Sequence, residues 1–156
     1  MNMISSSVLS RDLNFPGSMT AADQGIVLIV SNDAGTIEKL APVCEFLELR
    51  MEVASASADL RLVLQSHHPM AVITDMEGDE QDGFHVMKII ARYNRDLPTM
   101  LLTNGDPVLM GAADALQDLC GMTSVARTSG FPLAGQLVAF LFGAGRRSGC
   151  MRLVPV

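Results

Sequence analysis

The sequence predicts an open α/β fold: a five-stranded parallel sheet, doubly wound in the order 2-1-3-4-5, with five helices covering both faces in three layers. Three observations carry this expectation. Short apolar runs alternate five times with longer amphipathic stretches. The strand-like runs are continuous and β-branched, as in "GIVLIV", which suits strands buried on both faces. The intervening stretches are long enough for the right-handed helical crossovers that parallel neighbours require.

Residues 1–24 are rich in Ser, Asn and Asp, carry Pro16-Gly17 and show no sustained period, so they read as a flexible leader. The domain is expected over 25–143. Its first strand is "GIVLIV", and Ile37, Leu40, Ala41, Cys44 and Leu47 then fall at helical spacing, with Pro42 predicting a kink or an irregular first turn. "MEVASA" is the second strand; Leu60, Val63 and Leu64 stripe the second helix. "MAVIT" is the third strand, followed by a helix bearing Phe84, Met87, Ile90 and Ala91. "PTMLLT" and a helix over 108–119 come next, then "TSVAR" and a last helix over 133–142. Residues 144–156, Gly-rich, basic and then apolar, read as a tail or linker stump.

Composition excludes several classes of function. With 156 residues and 49% hydrophobic content the chain can bury one core. A net charge of −6 gives no basic field for nucleic acid or an anionic membrane surface. Cys44, Cys120 and Cys150 form no CxxC pair and no zinc-ligand spacing, so reduced thiols and a cytoplasmic location are expected. No apolar run approaches the roughly 18 residues of a membrane span. His67, His68 and His85 have no nucleophile or second ligand at a telling spacing and read as surface or cap residues.

The stretch "AVITDMEGDEQDGF" holds the candidate site. In open parallel sheets, ligands gather beyond the carboxyl ends of the strands, where strand order reverses. Asp75 ends the third strand, placing it on that rim beside Ser31, Asn32 and Asp33 after the first strand and Thr103-Asn104 after the fourth. Taken alone, a carboxylate at a strand end is commonly a turn or cap residue.

The pattern as a whole resembles the receiver domain of bacterial response regulators. Asp75 is followed seven positions later by Asp82-Gly83; "HPMAVITD" and "LRMEVASA" resemble the segments around the family's third and second strands; the resemblance covers about 25–142. It implies that Asp75 stands at the phospho-acceptor position and Thr103 at the phosphoryl-contact position. It also implies a Mg²⁺ site and protein partners: a histidine kinase, a phosphotransfer protein or an output protein.

The departures are as informative. Receivers place consecutive carboxylates after the first strand, where this chain has Ser31 and Asn32, with Asp33 one place later. Magnesium favours hard, charged oxygen ligands, so a site built from Asn32, Asp33, Asp75 and Glu77 is expected to be weak at best. The family's Lys falls on Thr128, or on Arg127 with a one-residue slip; the following Pro is displaced to Pro132, and the aromatic switch position falls near Val125. The expectation is therefore an atypical signalling module, not an enzyme, acting through protein contacts with phosphoryl acceptance weakened. The alternatives are a working acceptor completed by Asp33 or Glu77, or a small phosphatase-type enzyme, against which position 77 is Glu where such phosphatases have Asp. The last helix is apolar around its circumference, with Leu133, Leu137, Phe140 and Leu141 expected toward the sheet and Val138 and Phe142 elsewhere, which predicts a homodimer or partner interface on the face from the fourth to the fifth helix, the alternative being cover by the apolar tail 151–156.

Overall fold

A computed structural model describes residues 24–55, 59–76 and 83–149. Five strands, β1 (Ile26–Val30), β2 (Arg50–Ala54), β3 (Ala71–Asp75), β4 (Thr99–Thr103) and β5 (Val125–Ser129), pair in parallel in the order β2-β1-β3-β4-β5. The helices are α1 (Ala34–Phe46), α2 (Leu60–His67), α3 (Gly83–Tyr93), α4 (Pro107–Cys120) and α5 (Ala134–Ser148). This is the doubly wound architecture that the alternating pattern predicts.

The period of two in each strand divides the core. Leu28, Val30, Val72 and Leu101 point to one side and meet Leu64 of α2, Val86, Met87 and Ile90 of α3 and Ala113 of α4. Val27, Ile29, Ile73 and Met100 point to the other, against Leu40 and Cys44 of α1 and Leu137, Leu141 and Ala144 of α5. Three helices thus cover one face and two the other. A fully buried Leu or Ile in such a layer contributes roughly 1.5–3 kcal/mol. Burial also pushes the Cys44 thiol up to about 11, which leaves it an inert core residue.

Polar side chains set where the helices begin. Asp33 caps α1, accepting from the Gly35 amide at 3.1 Å and the Thr36 hydroxyl at 2.9 Å. Asp59 caps α2, and Asp106 caps α4 ahead of Pro107, whose missing N–H costs nothing in a first turn. Pro42 does not interrupt α1, which runs on to Phe46 with the exposed proline on its outer side.

Two expectations for the last helix are corrected. It continues past Phe142 to Ser148, so "GAGRRS" is helix where a tail was expected to start at Ala144. Packing outweighs glycine propensity there: Ala144 and Gly145 are buried, and Arg146 and Arg147 suit the negative end of the helix dipole. Leu133 does not face the sheet but stands at the N-terminal cap of α5, 74% exposed. Apart from Gln24, the expected leader lies outside the described residues, as do 150–156 with Cys150. Among the described residues, no helix is long and apolar enough to cross a membrane.

Gly83, the second residue of the Asp-Gly pair, has a packing role. A Cβ there would lie 2.8 Å from the backbone Cα of Met76 and 2.5 Å from its sulfur. Backbone cannot yield as a flexible side chain can, so Gly83→Ala is expected to cost about 1–3 kcal/mol in urea unfolding at unchanged m-value.

Candidate functional site: the carboxyl-end rim around Asp75

Pairing of β1 with β3 builds the rim. The register sets Val30 opposite Thr74, so the residues that leave the two strands, Ser31 and Asp75, become neighbours. Ser31 is fixed from both sides: its amide donates to the Ala54 carbonyl at 3.1 Å, and its hydroxyl accepts from the Asp33 amide at 3.0 Å. The same hydroxyl donates to Asp75 Oδ2. Ser31 is 3% exposed and Asp75 half-buried, so the contact is largely screened from water.

Electrostatics at the rim run against an ionised Asp75. Burial pushes its carboxyl above the ordinary value of 3.8; the Ser31 hydrogen bond opposes this, and the Asp33 charge adds to it. Asp33 is shifted the other way, held below the ordinary value by the Thr36 hydroxyl and the Gly35 amide, with a further contribution from Lys39. Both Asp33 oxygens therefore serve the α1 cap, although its charge is felt at Asp75.

The remaining predicted site residues are placed less centrally. Thr103 is buried, and its hydroxyl donates to the Thr128 carbonyl at 2.6 Å while accepting from the Gly105 amide at 3.2 Å. Thr128, at the expected Lys position, donates to the Gly130 carbonyl at 2.7 Å. Arg127 turns to α4, bonding Asp114 at 2.7 Å and Gln117 at 2.8 Å. Asn32 is exposed next to Ser31; Val125 packs beside the α2–α4 core. Glu77 and Asp82 lie outside the described residues.

Two further residues belong to this account. Ser31, visible in the sequence only as a missing carboxylate, is the direct partner of Asp75. Lys39 lies on α1, its Nζ 5.1 Å from the centre of the Phe131 ring, a cation–π distance. Six positions separate it from Asp33, which is not a helical repeat, so no spacing in the sequence singles it out.

A Mg²⁺ ion fits these donors poorly. It needs an octahedral set of hard oxygens, usually including one or two carboxylates. Here one Asp75 oxygen receives the Ser31 proton and both Asp33 oxygens accept cap bonds. Among the described residues no three His, Cys, Asp or Glu side chains cluster as a metal site.

The raised Asp75 value has a signed consequence. At a pH below the ordinary 3.8 the carboxyl is protonated folded or unfolded, and the stability linked to this shift is fully present. It is lost as pH rises through the raised folded value, because the native state must then ionise a desolvated group. Asp75→Asn removes that loss and keeps an acceptor for Ser31. The variant is expected to be more stable than the parent near about pH 7, with the difference shrinking toward about pH 3; thermal melts across that range measure it.

No protein-family model matches the sequence, and no curated protein matches it. Solved structures do. A response regulator receiver domain protein from Clostridium thermocellum superposes with a TM-score of 0.63 at 19% identity, covering 80% of this chain and 97% of that one. The receiver domain of the Francisella response regulator 1452 gives 0.62 at 14% identity, covering 80% and 99%. A CheY-like receiver domain protein from Methanospirillum hungatei gives 0.63 at 12%, covering 81% and 98%. At these identities the likeness is one of fold: the chain has the receiver fold of response regulators, with Asp75 at the end of its third strand.

Proposed function

We propose that this chain is an atypical receiver module of two-component signal transduction, which works through protein contacts and accepts a phosphoryl group at Asp75 poorly. The observation that carries the reading is the Ser31 hydroxyl donating to Asp75 Oδ2, where the family resemblance calls for a carboxylate and a metal. A neutral donor can steady the resting carboxylate. It cannot offset an incoming phosphoryl dianion, which in phosphoryl transfer is the task of metal ions and cationic side chains. Arg127 is committed to Asp114 and Gln117, and Thr128 carries no charge. Crowding negative charge into a half-buried site without compensation is costly.

Contacts with a histidine kinase, a phosphotransfer protein or an output protein, or with a second copy, then carry the signal. Support for the α4 side comes from exposure: Val108 is 80% and Leu119 84% exposed, and eleven residues of helix bring them to within about 20° of one another. Ala113 is the one fully buried residue of α4, so this helix is lightly held.

Two experiments test the reading. Exposed to a small phosphodonor with Mg²⁺, the parent is expected to label slowly, and Ser31→Asp with Asn32→Asp to label at least roughly tenfold faster, equivalent to about 1.4 kcal/mol of barrier. Asp75→Ala should abolish labelling in both backgrounds. Rapid, stoichiometric labelling of the parent would contradict the proposal and point to Asp33 or Glu77 as the completing ligand. For the contact mode, sedimentation and pull-down should show association weakened by Leu119→Glu and unchanged by Asp75→Ala; the reverse pattern would make Asp75 an active switch.

A further inference from the structure

A groove between α2 and α3, open to solvent, has a volume of about 280 Å³ and is lined by Asp59, Arg61, Gln65, Ile89, Arg92 and Tyr93. None of these residues belongs to the Asp75 rim. Sequence spacing aligns them: Arg61 and Gln65 are one turn apart on α2, and Ile89, Arg92 and Tyr93 share a face of α3. Two guanidinium groups therefore line one groove. Neither forms a salt bridge with any described residue, although the chain carries a net charge of −6. Asp59, the carboxylate of the groove, accepts from the Leu62 amide at 3.4 Å as the α2 cap.

Beside Arg92, the α3 wall presents apolar surface. Ile89 and Tyr93 are half-buried, and the Tyr93 hydroxyl lies 3.2 Å from His68 Nδ1. His68 closes α2 in the left-handed region at φ 48°, a conformation that usually selects Gly or Asn at a helix end. The C-cap of α2 thus brings the His68 imidazole to the Tyr93 hydroxyl.

We propose that this groove binds a mononucleotide-sized ligand. Arg61 and Arg92 hold its phosphoryl group through their planar donor forks. Its aromatic ring lies against Ile89 and Tyr93, while Gln65 and Asp59 meet hydroxyl or amino groups. The volume of about 280 Å³ lies just below the usual range of small-molecule sites, about 300–1,000 Å³, which favours one nucleotide over two. An acidic peptide would use the arginines but leave the apolar surface of Ile89 and Tyr93 without a role. This inference does not depend on phosphoryl acceptance at Asp75.

The chain carries a built-in reporter, with one Tyr and no Trp, so its tyrosine ring signals in a proton NMR spectrum belong to Tyr93. Adenosine monophosphate, adenosine and inorganic phosphate are titrated separately into the full chain. Saturable Tyr93 shifts are expected with the monophosphate, with adenosine and phosphate each binding at least about tenfold more weakly. Arg61→Gln and Arg92→Gln, both at exposed positions, should each weaken the monophosphate by about tenfold, and Asp75→Asn should leave it unchanged. No saturable shift would overturn the proposal. So would a monophosphate affinity equal to that of inorganic phosphate or insensitive to both arginine variants. Tighter, arginine-dependent binding of a Glu-rich peptide would overturn it too and assign the groove to a protein partner.

Discussion

The candidate site depends on one constraint, the adjacency of β1 and β3 at the centre of the sheet. Sequence order would set β2 between them; the reversal in β2-β1-β3-β4-β5 brings their ends together and makes Ser31 a neighbour of Asp75. That register is tightly specified, because Leu28, Ile29, Val72 and Ile73 are fully buried and a one-residue slip would exchange the two core faces of a strand. The hydrophobic layers thereby position a polar contact with which they share no chemistry.

Once that contact exists, the rim closes on itself. Asp33 caps α1, its amide supports Ser31, and Ser31 supports Asp75. Together they engage one Asp75 oxygen and both Asp33 oxygens, and two cationic side chains are turned elsewhere: Arg127 toward Asp114, Lys39 over Phe131. Thr103 is likewise committed to the β5 backbone. The result is a desolvated carboxyl held by a neutral donor, a resting arrangement that adds little toward stabilising further negative charge.

Much of this was legible in the sequence. Continuous β-branched runs such as "GIVLIV" identified strands buried on both faces, and the strand-end position of Asp75 with Asp82-Gly83 seven residues on located the rim. The replacement of two carboxylates by Ser31 and Asn32 was visible as a loss. What could not be read was Ser31 as a donor, because the direction of a hydroxyl follows from strand pairing and not from its own neighbours in sequence. The extent of α5 was hidden for a related reason: glycine-rich "GAGRRS" looks like tail until Ala144 packs against the sheet. Arg61 and Arg92 each had a readable helical position, but their convergence across one groove is a tertiary fact.

The central claim is that Asp75 rests as a desolvated, serine-held carboxyl with little affinity for magnesium. Its side-chain carboxyl carbon, followed by NMR through a pH titration with and without MgCl₂, tests this most directly. The account predicts a midpoint above the ordinary 3.8, lying higher still in Ser31→Ala, and nearly the same with and without magnesium. A midpoint at or below 3.8 that falls further when magnesium is added would contradict it, because Asp75 would then be an ionised metal ligand in a competent acceptor site.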